Sequence, residues 1–166
     1  MGSSVTASAV VSKTIGVGSI PTSPAIKTKG GNKMYQSLQG NYGLGEAIAY
    51  FTTHKIPVCI PLNDTQKYDL VVDIDGELKR VQVKTTKYEV RPGVFQVMLK
   101  NAGGSSKGST LRYFDKESCD LLFILCGNGD MYLIPIDAVD SSTTLNLGKK
   151  YELFKVEKVP FNDFKS

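Results

Sequence analysis

The 166-residue chain has no tryptophan, one histidine (His54) and three cysteines (Cys59, Cys119, Cys126). An odd cysteine count with no CxxC pair argues against a disulfide scaffold. A single histidine leaves too few ligands for a zinc module or a histidine-dependent HNH mechanism. Long apolar runs are also missing. The longest, Leu121-Leu122-Phe123-Ile124-Leu125-Cys126, has six residues, against the roughly 20 needed to cross a bilayer, so no membrane partner is expected. The N-terminus lacks a basic segment followed by an apolar one, so no secretory leader is expected. Unpaired cysteines inside apolar runs suit a reducing, cytoplasmic (intracellular) setting. Gly40, Gly43 and Gly45 are not spaced as G-x-G-x-x-G and follow no strand pattern, which removes a dinucleotide-binding loop.

Acidic residues are absent from residues 1–45, where Lys13, Lys27, Lys29 and Lys33 give +4. Residues 46–78 hold six acids against two bases, giving −4. Residues 79–112 then carry Lys79, Arg80, Lys84, Lys87, Arg91, Lys100, Lys107 and Arg112 against Glu89 alone, giving +7, and residues 113–166 return −3. An acidic cluster abutting a basic one suits a divalent cation held beside a polyanion. A solvated strand face edged with lysines would have the same composition.

Residues 1–33 are rich in Ser, Thr, Gly and Pro and have no aromatic residue, which reads as a flexible N-terminal arm. A single domain is expected over 34–166. Leu44, Ala47, Ile48 and Phe51 fall at helical spacing, predicting a helix from Leu44, with Asn41 as a possible cap, to about His54–Lys55. His54 is expected to cap its end. Val58-Cys59-Ile60 reads as a short strand. Tyr68–Ile74 and Glu77–Thr86 read as a hairpin about Asp75-Gly76, a strong turn signal, to which Asp73, Asp75 and Glu77 are assigned. Phe95–Lys100 is a further strand, followed by a loop from Asn101 to Ser109. Leu121–Leu125 and Met131–Ile136 form a second hairpin. One helix and a series of antiparallel strands make the class α+β or mixed α/β.

A two-residue turn at Asp75-Gly76 sets the register: Ile74 opposes Glu77, Leu70 opposes Val81 and Asp69 opposes Gln82. The two-residue side-chain period then puts Lys84 on the face of Gln82, while Leu70, Val72, Val81 and Val83 face the core. A carboxylate, a neutral oxygen ligand and an ammonium on one patch is the equipment of metal-assisted phosphodiester hydrolysis. The carboxylate anchors a hard cation, and the lysine offsets phosphate charge or serves the attacking water. Glu46 and Tyr50 lie at the edge of the helix stripe, where a side chain can reach an adjacent sheet. Lys79, Lys87, Arg91, Lys100, Lys107 and Arg112 are the candidate phosphate contacts, with the Gly/Ser loop around Lys107 able to reach a groove and Tyr88 and Tyr113 able to stack.

The run Tyr68-Asp69, twelve residues, then Gln82-Val83-Lys84, preceded by Glu46 on the helix, resembles the motif of the PD-(D/E)XK nuclease superfamily. The Gln in place of the usual acid, with Gly45-Glu46, Val81-Gln82-Val83-Lys84-Thr85-Thr86 and Tyr132-Leu133-Ile134-Pro135, is most similar to the group I intron-encoded homing endonuclease branch. The resemblance spans about Met34 to Ile136. It implies an α/β restriction-endonuclease-like core, a mixed sheet with an N-terminal helix carrying Glu46. It also implies a homing-type DNA endonuclease that cleaves double-stranded DNA with Mg²⁺. By the same resemblance Glu46, Asp69 and the Val83 backbone carbonyl would hold the metal, Gln82 would stand for the second motif acid, and Lys84 would serve the nucleophile. A homo-oligomer, dimer or tetramer, would be needed to cover a long target. The alternatives are a Holliday junction resolvase of the same superfamily or a non-catalytic DNA-binding module.

Overall fold

The computed structural model describes residues 31–63, 65–105, 108–160 and 163. Nearly all of the expected N-terminal arm lies outside them. The helix α1 (Gly31–Thr53) opens the described chain, well before the Leu44 that periodicity suggested. Over residues 35–42 the added turns carry no buried stripe: Tyr35, Leu38 and Tyr42 are all exposed. A helix half that buries nothing has no amphipathic signal to read. Its C-terminus is where the pattern put it. Ile56 N–H donates to the Phe51 carbonyl and Lys55 turns left-handed at φ 60°. His54 Nδ1 lies 2.8 Å from the Tyr50 carbonyl, a capping contact.

Eleven strands follow in the described chain. The six-stranded sheet runs β1 (Val58–Cys59), β2 (Leu70–Ile74), β3 (Glu77–Thr86), β8 (Leu121–Cys126), β9 (Met131–Pro135), β11 (Lys155–Val156). It is a mixed sheet, since β3 and β8 pair in parallel while the other described neighbours are antiparallel. A second sheet orders β10 (Thr144–Leu147), β5 (Val94–Met98), β4 (Glu89–Arg91). The segment expected as a loop is instead a two-stranded ribbon, β6 (Asn101–Ser105) with β7 (Gly108–Arg112). Its glycines and serines have low strand propensity, so only cross-strand pairing reveals it.

The main sheet has two covered faces. Ala47, Tyr50 and Phe51 of α1 pack with Leu70, Val72, Val81, Phe123 and Leu125. On the other face Phe95, Val97, Leu145 and Leu147 of the second sheet pack with Leu122, Ile124, Tyr132 and Ile134. A strand buried on both faces has no polar alternation, which is why β8 reads as one apolar run.

The β2–β3 hairpin has the expected register, with Leu70 opposite Val81 and Ile74 opposite Glu77. Asp75 (φ 55°) and Gly76 (φ 85°) both sit in the left-handed region, as a type I′ turn requires. Helix and sheet meet closely at Gly43, where an added Cβ would lie 2.2 Å from Thr85 Cγ2. Alanine there gains about 1 kcal/mol of helix propensity, but the β-branched Thr85 cannot move aside, and overpacking costs about 1–3 kcal/mol. Gly43→Ala is therefore expected to lower Tm, and Thr85→Ser, which removes Cγ2, to restore most of it. A thermal melt of the two variants checks this; a Tm raised by Gly43→Ala would contradict the close approach.

Candidate active site

The β2–β3 ladder ends at Leu70–Val81, and Asp69 extends it with its own groups. Its backbone N–H donates to the Val81 carbonyl at 2.9 Å. Its Oδ2 accepts from the Val83 N–H at 2.7 Å and from Gln82 Nε2 at 2.5 Å. The carboxylate thus stands where a further residue of β2 would have paired, and the hairpin register brings it there. Parity supplies the rest: Gln82 pairs with Leu122 and Lys84 with Ile124, so both point to the face covered by the second sheet.

Asp69, Gln82 and Lys84 line one cavity of about 620 Å³, with Leu99 and Phe114 adding apolar wall and Lys67, Tyr113 and Asp115 also lining it. Burial pushes the Asp69 carboxyl up, against the Val83 N–H bond and the Lys84 charge, which pull it down. Burial likewise pushes the Lys84 ammonium down, against Asp69 and Cys119, which raise it. Each group is desolvated beside the other, a pairing more often found at functional sites than in ordinary surface ion pairs. The buried Cys119 thiol accepts the Gln82 backbone N–H and is pushed up to about 11, mainly by burial, so it is an inert neighbour.

Glu46 is placed elsewhere. It does not line this cavity, and its carboxylate is bonded to Lys158. Helix α1 packs on the sheet face carrying Val81 and Phe123, opposite the face of Gln82 and Lys84. Tyr50, read as an edge residue, is buried in the core against Phe51 and Phe123. Helical periodicity gives a residue's angle on its helix but not which side of the sheet the helix covers.

The basic residues do not form one surface. Lys79 pairs with Val72 on the α1 side of the sheet and is salt-bridged to Glu77. Lys87 lines a separate groove with Tyr35, Leu38 and Tyr42. Arg91 is exposed at the end of β4, and Lys100 is half-buried between β5 and β6. Arg112 lies on β7 next to the cavity residue Tyr113, and Lys107 falls outside the described residues. Arg80, on the Gln82 face, is held by Asp120 through both Nε and Nη2 and so braces β3 against β8. Two charged cavity residues escaped the sequence reading: Lys67 and Asp115, paired at 2.9 Å across 48 positions. No local spacing links them.

The donors suit a hard divalent cation: the Asp69 carboxylate, the Gln82 amide oxygen and the Val83 carbonyl are all oxygen. Gln82 Nε2 sits 2.5 Å from Asp69 Oδ2 and 3.5 Å from the Val83 carbonyl, so the positive end of the amide dipole lies between two acceptors that a cation would share. Among the described residues no three of His, Cys, Asp and Glu converge. Asp69 is the carboxylate of this bonded group, while Asp115, which lines the same cavity, is paired with Lys67.

A family model described as PD-(D/E)XK endonuclease matches residues 34–160. Among solved structures, that of a bacterial homing endonuclease, I-Ssp6803I, superposes with a TM-score of 0.60 at 23% identity, over 68% of this chain and 78% of that one. At that identity the likeness speaks for the fold. No curated protein matches the sequence.

Proposed function

Since the chain belongs to the PD-(D/E)XK endonuclease family and so is a DNA endonuclease, we propose that it is a Mg²⁺-dependent enzyme of the homing type, cutting double-stranded DNA at the cavity of Asp69, Gln82 and Lys84. The observation that carries this reading is the bonded group Asp69 Oδ2, Gln82 Nε2 and Val83 N–H, with Lys84 on the same strand face. The Asp69 carboxylate, the Val83 carbonyl and, once its amide turns so that the oxygen replaces Nε2, Gln82 would hold the cation. When bound, it polarises a phosphoryl oxygen and offsets its charge. Lys84, desolvated by the cavity, takes the proton of the attacking water as the new P–O bond forms and the bond to the leaving deoxyribose oxygen breaks, that oxygen taking its proton from solvent. Glu46 enters this account only if Lys158 releases it. A domain of this size covers a short stretch of duplex, so a long target calls for a two-fold dimer or a tetramer with a site for each strand.

Plasmid and genomic DNA incubated with the protein and Mg²⁺, with the ends mapped by sequencing, tests the proposal. A unique cut that EDTA abolishes is expected. Scattered cuts would remove the homing type, and cutting unaffected by EDTA would remove the metal.

Gln82 offers a finer test. A glutamate there would set a second carboxylate against Asp69 at the present 2.5 Å contact, so like charges would repel without a cation. Gln82→Glu is expected to lower Tm in EDTA, to recover it in Mg²⁺ and to retain cleavage, whereas Gln82→Ala loses more rate. Equal melting of Gln82→Glu in EDTA and Mg²⁺ would place the cation away from Gln82.

A further inference from the structure

The ribbon β6–β7 has no third strand among the described residues. Both its ends adjoin the cavity, since Leu99 shortly before it and Tyr113 just after it line the site. Residues 101–112 include no aromatic residue and three glycines, so the ribbon has little apolar surface with which to stabilise itself. An isolated hairpin is marginally stable in water. Nothing in its composition builds a core, and from Pro92 to Phe114 the chain has Lys100, Lys107 and Arg112 but no acid. A thin, acid-free, two-stranded element at the mouth of a phosphodiester-cleaving site has the shape and charge of a groove-binding element.

Register divides it into unlike faces. Asn101 opposite Arg112, Gly103 opposite Thr110 and Ser105 opposite Gly108 share one face; Ala102 opposite Leu111 and Gly104 opposite Ser109 share the other. The first set contains the residue types that discriminate base edges: Asn for adenine, Arg for guanine, Ser and Thr for either. The second is small or apolar.

We propose that β6–β7 is the sequence-reading element of this enzyme, laid in the major groove beside the scissile phosphate by the ribbon face on which register places Asn101, Thr110 and Arg112. The proposal rests on the reading that the chain binds and cuts duplex DNA. Strands about 4.8 Å apart with side chains to either side fit a major groove about 12 Å wide but not a minor groove about 6 Å wide. Five paired residues extend about 17 Å, the rise of about five base pairs.

The test selects binders of the full-length chain from a 30-bp duplex library with random sequence, in EDTA so that no metal-dependent cleavage occurs, followed by dimethyl sulfate interference, which reports guanine N7 in the major groove. The wild-type chain is expected to enrich a motif containing a run of about five base pairs, with N7 methylation in that run blocking binding. Asn101→Ala, Thr110→Val and Arg112→Ala should each flatten one or two positions of the run by roughly 10- to 100-fold in preference, leaving the rest of the motif intact. A flat wild-type profile, a motif unchanged in all three variants, or uniform weakening on every sequence would overturn base readout by the ribbon. So would a changed oligomeric mass with the motif intact, which would make the ribbon a strand-pairing surface. The nuclease reading fails separately, if the wild-type chain leaves plasmid uncut in Mg²⁺.

Discussion

Asp69→Asn and Lys84→Met are each expected to reduce DNA cleavage at least ~10²-fold, the scale of losing a charge that acts on the transition state, while the protein stays folded. Asp69→Asn removes the carboxylate charge at the cation position, and Lys84→Met keeps the stem but removes the nitrogen. Neither side chain is core: the helix-side core of these strands is Leu70, Val72 and Val81. The pKa directions turn this into a stability expectation. Burial raises Asp69, so this group favours the fold where it is protonated, below the unfolded carboxyl value, and that contribution is lost as pH rises through the folded value. Burial lowers Lys84, so it favours the fold above the ordinary lysine range, a contribution lost as pH falls through the folded value. Burial penalises the charged form of each group, so the double variant Asp69→Asn/Lys84→Met, which has neither charge, should melt at the wild-type temperature or higher at pH 7. Cleavage rate and calorimetric Tm, measured on the same samples, separate lost chemistry from lost structure. Near-wild-type cleavage by either single variant would remove that residue from the site.

DNA affinity should collapse with salt. If about six bases each neutralise a phosphate, log affinity falls with log salt at a slope of about −0.9 per contact, a loss on the order of 10³ between 50 and 200 mM. The structure ranks the contributors. Lys79 is already paired with Glu77 on the far face of the sheet, so Lys79→Gln should barely change the slope. Arg91→Gln and Lys100→Gln should each lower it by up to about one unit and weaken all duplexes alike. Lys87 lies in the groove beside α1, and its substitution reports whether duplex wraps that far. Deleting residues 1–30, with their three lysines, is the control. If the deletion flattens the slope while the strand substitutions leave it unchanged, the N-terminal segment carries the DNA and the sheet does not.

What the chain reveals without its fold is whatever local geometry determines. Asp75-Gly76 demands two left-handed residues in succession, only a type I′ turn supplies them, and that turn sets a register whose alternation puts Asp69, Gln82 and Lys84 on one patch. Those three residues were therefore legible from some sixteen consecutive positions. The apolar run Leu121–Cys126 likewise marked a strand covered on both faces. Three features depend on contacts between distant segments. Glu46 meets Lys158 across 112 positions, and whether α1 covers the Val81 face or the Gln82 face is a choice that helical periodicity cannot express. Residues 35–42 bury no stripe and 101–112 have weak strand propensity, so their helix and ribbon are visible only once α1 is continued from its packed half and β6 finds β7. The cavity walls, Leu99, Phe114 and the Lys67–Asp115 pair, come together because β3 and β8 lie parallel and the chain between them must cross over one face of the sheet. Turn chemistry and the two-residue strand period determined the catalytic patch; the choice of sheet face, set by long-range packing, decided what surrounds it.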